Sequence, residues 1–394
     1  MITAVAAAAP ARANAVPPSP DASQRPAWLP AFIPAFDGLR GVAILAVVLY
    51  HCMPRLQGTF LEKFFAWGWS GVSLFFVLSG FLITGIILDS HASPRFYSNF
   101  FARRFLRIWP VYWMLLFLYY FFFPLLFSGY RWMFHEIAVA PWLFLLLFVQ
   151  NLWPIAFPGA IGPTWSLAIE QQFYLFWTPI ARRVPPRWLL LAAAMMLAIS
   201  PLVRLFWGNR FTPTNTITHL DGLAVGSLIA IALRALPWPI GAWKWIARAA
   251  LAVGAAGVFL MLHYGSAFTD TLLAVGFGGM LLAALLGQAA PRPTLYCRAL
   301  TFRPLLFVGK ISYGLYVTHI LVFSVLGGYV DKPLDHFGIP GNLAIVGIRL
   351  AASISFAALM WVRFEKPILD LKRYFNFCNS SAIKKRAAEN SNGS

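Results

Sequence analysis

Charge is what this sequence most lacks. Only 11% of its 394 residues are Asp, Glu, Lys or Arg and 60% are hydrophobic, whereas a soluble domain carries roughly 25% charged residues. Such a chain cannot cover its own surface with polar groups, which excludes a soluble globular protein. Acid is scarcer still, with 13 Asp and Glu against 31 Lys and Arg and a net charge of +18. Cysteine is nearly absent. Cys52, Cys297 and Cys378 are odd in number, far apart and outside any C-x-x-C spacing, so no disulfide framework and no metal site is indicated. Residues 1–34 contain no apolar run long enough for a signal peptide, and no internal repeat is visible by eye. A basic water-facing patch is lacking too, because the cations sit between apolar segments; the charge therefore reads as topology, not as nucleic-acid binding.

What is present is a series of apolar runs, at about 36–53, 67–88, 108–127, 137–152, 164–181, 188–207, 219–235, 246–263, 271–289, 304–327 and 341–362. Each span of a bilayer needs about 20 residues, so the chain reads as an all-α polytopic membrane protein. Lys and Arg concentrate in cytoplasmic loops, and Arg95, Arg103, Arg104 and Arg107 fix the loop after the second run inside. If all eleven runs crossed, Arg182, Arg183 and Arg187 would lie outside. The run 137–152 is short, contains Pro141 and ends in Gln150 and Asn151, as a re-entrant or interfacial piece would. Removing it predicts about ten transmembrane helices with both termini cytoplasmic. Arg55, Lys63, Arg131, Arg210 and Lys332 then lie outside, and Arg204, Lys310 and Arg349 fall within spans. Residues 1–34, rich in Ala and Pro, and the polar basic stretch 371–394 are expected to be disordered cytoplasmic tails around a membrane domain at 35–370.

Ionisable residues inside a bilayer cost several kcal/mol and default to functional candidates, with snorkelling at helix ends as the plain alternative. In the first run, Arg40 and His51 are 11 residues apart, about 20° past three full turns and about 16.5 Å along the axis, so one helix face carries both. Asp37 lies one turn before Arg40. Arg104 and Arg107, at i and i+3, can point together towards a phosphate-bearing cytosolic ligand; lipid-headgroup anchoring is the alternative. Glu170 lies shortly after Trp165 in a helix that enters from outside, where it can meet His51 and raise its basicity. Tyr174 is one turn further on. Ser73 and Ser79 sit in a small-residue helix that favours close packing. Asp221 caps a helix start as readily as it binds a substrate. Ser312, Tyr316 and His319 form one polar stripe. Glu365 followed by Pro367 is explained by helix termination alone.

The order Asp37-Gly38-Leu39-Arg40-Gly41 with His51, the Phe75–Thr84 stretch FFVLSGFLIT, Arg104-x-x-Arg107, Trp165-Ser166-Leu167 with Glu170 and Phe173-Tyr174, Asp221, Ser312-Tyr313 with His319, and Glu365-x-Pro367 resembles the acyltransferase-3 family. These are bacterial inner-membrane proteins that O-acylate surface glycans, with related eukaryotic members. The resemblance covers about residues 35–370 and implies that His51 is central to transfer, with Arg40 as its motif partner and Arg104 and Arg107 on the acyl-CoA side. Some members carry a further extracytoplasmic hydrolase-like domain. The sequence stops at Ser394, so a second transfer step is expected to need a partner or to be absent.

The expectation is an O-acyltransferase that takes an acyl group, most simply acetyl, from cytosolic acetyl-CoA or another acyl-CoA. The acceptor is a hydroxyl of an extracytoplasmic or lipid-linked carbohydrate, in contact with membrane lipid and without a metal. His51 either deprotonates the acceptor or carries the acyl group, Glu170 orients His51, and Tyr316 or Ser312 stabilises the oxyanion. A transporter or flippase is the rival reading, because buried Arg, His and Glu also describe a substrate pathway. The residues leave acceptor identity, acyl length and oligomeric state open.

Overall fold

A computed structural model describes residues 25–377 except 27, 31, 91–92, 123–139, 153–158, 209–213 and 264–266. The described residues form helices and connecting turns, with no strand among them. The principal helices are α1 (Pro34–His51), α2 (Gly71–Ser90), α3 (Phe96–Phe117), α4 (Trp165–Arg183), α5 (Pro186–Trp207), α6 (Leu220–Ala235), α7 (Ile240–His263), α8 (Thr269–Ala289), α9 (Arg303–Lys310), α10 (Ser312–Leu326) and α11 (Gly338–Met360). By length and composition eight helical stretches among the described residues can cross a membrane, or nine if α9 and α10 count as one broken span. The chain is therefore a multi-pass membrane protein. The expected tenth span, α4, is 19 residues long but is not among those stretches, because Glu170, Gln171, Gln172, Arg182 and Arg183 dilute its apolar character.

Two expectations about the runs are refined. The run 304–327 is not one straight helix: α9 and α10 meet at 74°. Gly309 packs so closely on α1 that an added Cβ would lie 1.7 Å from the Asp37 carbonyl oxygen, and Lys310 ends α9 with its ammonium 5.4 Å from the Trp361 ring. The cation therefore stands at the bend and not within a continuous helix. The start of the run 137–152 lies outside the described residues. Its described part is a seven-residue helix, Ala140–Leu146, about 10 Å long and too short to cross a bilayer by itself. Phe148 then turns the chain at a φ of 55°.

The expected tails lie mostly outside the described residues, as do Arg131, Arg210 and Cys378. Their described ends are folded onto the bundle, since each bonds a residue of a principal helix or of the turn beside it. Arg25 bonds Asp89 at 3.3 Å and Leu29 is buried. At the other end Ser93 and Asn99 donate to the carbonyls of Phe377 and Asn376.

α1 and α2 hold the structure together, because each contributes to both apolar cores. Ile44, Val47, Val48, Phe76 and Ile83 join the core built with α3, α4, α10 and α11. Leu39, Ala43, Val77, Leu78 and Phe81 join the core built with α6, α7 and α8. In hydrocarbon, close helix approach replaces the hydrophobic driving force and requires small residues. Gly226 of α6 meets α2 so tightly that a Cβ there would lie 2.0 Å from the Val77 carbonyl oxygen, whereas at Gly347 of α11 nothing lies within 4 Å. Gly226→Ala is therefore expected to destabilise the protein by about 1–3 kcal/mol, and Gly347→Ala to be neutral or stabilising by up to about 1 kcal/mol. Thermal unfolding in detergent checks both.

Candidate functional site

One pocket stands out by its lining. α1 contributes Arg40, α2 Phe75 and Ser79, α3 Arg104 and Arg107, α4 Ser166, Glu170 and Tyr174, and α10 Ser312, Tyr313 and Tyr316; the empty space, including its mouth, is about 760 Å³. Residues up to 276 positions apart in the chain, Arg40 and Tyr316, meet here because α1 and α2 lie centrally and α3, α4 and α10 pack around them.

Its charges are held apart. Arg40 bonds Asp37 at 3.0 Å, one turn back on α1. Arg107 bonds Glu365 at 2.8 Å and stands 5.6 Å over the Tyr313 ring. Arg104 has no carboxylate partner among the described residues; its guanidinium lies 5.7 Å from the Phe100 ring and 5.8 Å from that of Tyr174. Glu170 in turn makes no direct ion pair among the described residues, and accepts from Ser79 at 2.7 Å and from Tyr174 at 2.9 Å. Tyr174 thus stands between a guanidinium and a carboxylate that would otherwise pair. Charges without a direct ion pair are costly in an apolar bundle, which makes this pocket the candidate site.

His51 does not line this pocket. Its Nδ1 lies 2.9 Å from the Val47 carbonyl oxygen and 3.3 Å from Nε2 of His319, and the two rings are 4.9 Å apart. The contact expected between Glu170 and His51 is replaced by these: Glu170 turns to α2 and its own helix, and His51 turns to α10. The stripe on α10 joins the two places. Ser312 and Tyr316 line the pocket, and the Tyr316 ring lies 6.1 Å from that of His319. The Tyr316 hydroxyl lies 2.7 Å from both the Pro163 carbonyl oxygen and the Ser166 hydroxyl. A carbonyl only accepts and the Ser166 hydroxyl also reaches the Pro163 carbonyl oxygen at 3.3 Å, so the one phenolic proton is taken up by Pro163 or by Ser166. In this arrangement Tyr316 has no proton left for an oxyanion, while Ser312 faces the pocket without that commitment.

The remaining expected residues serve packing and charge neutralisation. Asp221 is buried against Arg204 of α5 at 2.8 Å and accepts from Thr271 of α8, also at 2.8 Å, tying three helices together. The Ser73 carbonyl oxygen would lie 3.2 Å from a Cβ on Gly222, a helix contact outside the pocket. Trp165 packs its ring 6.2 Å from Phe76 and 5.0 Å from His219. The residue that sequence reasoning passed over is Glu365, which is 2% exposed and holds Arg107. A carboxylate directly behind a long apolar run, with an arginine pair elsewhere in need of a counter-ion, was the available signal.

The family model for acyltransferase-3, an acyltransferase domain, matches residues 33–362. The chain is 28% identical over 367 residues to the peptidoglycan O-acetyltransferase OatA of Listeria monocytogenes, a match covering 86% of this chain and 56% of that protein. It is 26% identical over 375 residues to the O-acetyltransferase OatA of Staphylococcus aureus, covering 86% and 58%. The chain spans little more than half the length of these curated relatives. No solved structure gives a significant match. The breadth of the family match settles the affiliation: the chain belongs to the acyltransferase-3 family.

Proposed function

We propose that this protein is a membrane O-acetyltransferase. It moves the acetyl group of cytosolic acetyl-CoA, or of another acyl-CoA, to a hydroxyl of an extracytoplasmic or lipid-linked carbohydrate, from a bacterial inner membrane with both termini cytoplasmic. Peptidoglycan-type glycan is the first acceptor to test, because the Listeria relative is named for it. One observation carries the reading: the guanidiniums of Arg40, Arg104 and Arg107 share a pocket with Glu170, and α10 leads from that pocket to His319 beside His51.

The chemistry follows from the side chains. Arginine forks bind phosphate oxygens in pairs, and Arg104, with no carboxylate of its own, is the first to be engaged by a CoA phosphate; Arg107 and Arg40 sit beside it. The pantetheine arm would then follow α10 past Tyr316 towards the histidines. At His51 the acceptor O–H bond breaks as the new O–acyl bond forms and the C–S bond opens; the proton passes from hydroxyl to imidazole and then to the departing thiolate, giving ester and free CoA. In the alternative order His51 first carries the acyl group itself. Glu170, fixed by Ser79 and Tyr174, sets the field along the donor path.

Purified protein in nanodiscs, given radiolabelled acetyl-CoA with chitin-type oligosaccharide or water as acceptor, tests the reading. Turnover is expected in the wild type, with kcat lowered at least about 10²-fold in His51→Ala and the KM for acetyl-CoA raised at least about tenfold in Arg104→Ala. Unchanged turnover in His51→Ala contradicts the assignment, and an absence of donor binding by the wild type points to a transporter. Stability separates the two arginines: Arg107→Met strands the Glu365 carboxylate and is expected to cost about 3–5 kcal/mol in unfolding experiments, whereas Arg104→Ala leaves unfolding nearly unchanged.

A further inference from the structure

The hydrogen-bond pattern around the two histidines fixes which of their nitrogens carry protons. Nδ1 of His319 faces two backbone oxygens, of Tyr316 at 2.8 Å and of Leu315 at 3.2 Å. Carbonyl oxygens only accept, so this nitrogen is an N–H donor and Nε2 of a neutral His319 is a bare lone pair. That lone pair lies 3.3 Å from Nδ1 of His51, which also faces the Val47 carbonyl oxygen at 2.9 Å. Nδ1 of His51 therefore carries its proton too, shared between two acceptors, and Nε2 of His51 keeps the lone pair that a base or nucleophile needs. The opposite assignment sets lone pairs against three carbonyl oxygens. His319 is fully buried with 0% exposure and is wedged between Phe323, whose ring is 5.8 Å away, and Tyr316, so its ring cannot turn freely.

We propose that His319 is the positioning residue for His51, a neutral counterpart of the carboxylate that orients the histidine of a hydrolase triad. This rests on the reading of His51 as the transfer base. When Nε2 of His51 takes the acceptor proton, the ring becomes an imidazolium whose Nδ1–H bond to Nε2 of His319 strengthens, and the bond relaxes when the proton leaves with the thiolate. A neutral partner suits this depth in the bundle, where a carboxylate would need a counter-ion of its own. Orienting partners of this kind are worth about 10- to 100-fold.

The test compares wild type, His51→Ala, His319→Phe and His319→Gln in the acetyl-CoA turnover assay, with histidine ¹⁵N spectra of the wild-type protein. His319→Phe keeps a ring but no acceptor and is expected to lower kcat about 10- to 100-fold with the KM for acetyl-CoA unchanged. His319→Gln places an amide oxygen near the lost Nε2 and is expected to recover most of that loss. In the spectra, the signals that disappear in His51→Ala are expected to be those of an Nδ1–H tautomer. Wild-type kcat in His319→Phe beside an inactive His51→Ala overturns the proposal alone, as does an Nε2–H tautomer for His51 in the wild type, a readout that does not depend on any His319 variant folding. Full turnover in His51→Ala overturns the reading beneath it.

Discussion

Hydrocarbon does not solvate charge, so every ionic side chain in this bundle must be neutralised by a neighbour or have a reason to stand alone. Most are neutralised. Arg204 meets Asp221 at 2.8 Å, Arg234 meets Asp89 at 2.7 Å, Arg107 meets Glu365 at 2.8 Å, and Arg349 and Arg55 converge on Asp331. These pairs link helices distant in sequence and act as part of the frame. Arg104 and Glu170 are different. They line the same pocket, yet Tyr174 separates them and gives each a weaker, neutral partner. That arrangement is the reason for taking the pocket as the candidate site.

The frame makes the site by setting α10 against the central α1. α1 carries Arg40 near one end and His51 at the other; α10 carries Ser312 near the pocket and His319 near His51. The two therefore form a track of polar side chains across an apolar interior, closed midway by the Tyr316–Ser166–Pro163 bonds. A donor whose polyanionic head stays at the arginines and whose reactive end lies about 16 Å away at the histidines matches that length. The bend at Ile311 leaves Ser312, the first residue of α10, at the pocket.

Much of this was legible in the sequence. Local periodicity decides a helix, so the apolar runs located the helices, and the 11-residue spacing of Arg40 and His51 and the stripe Ser312, Tyr316 and His319 survive folding unchanged. What depends on packing between helices was not legible. The height of Glu170 in its helix suggested His51 as partner, but rotation of α4 points it at Ser79; nothing local encodes that rotation. Glu365 read as a helix stop because its partner lies 258 residues away. The break at Ile311 lies beside the contact of Gly309 with α1, and the pairing of His51 with His319 comes from the packing of α1 and α10, neither of which one segment reveals alone.

The account stands on a single donor path from the arginines to the histidine pair. A structure of the protein in nanodiscs with a thioether analogue of acetyl-CoA tests it most directly. The account predicts phosphate density against Arg104 with Arg40 and Arg107 nearby, the pantetheine arm passing a displaced Tyr316, and the acetyl carbon within contact of Nε2 of His51. An analogue bound with its nucleotide away from these arginines, or with its acetyl end directed to the lipid face, would contradict it.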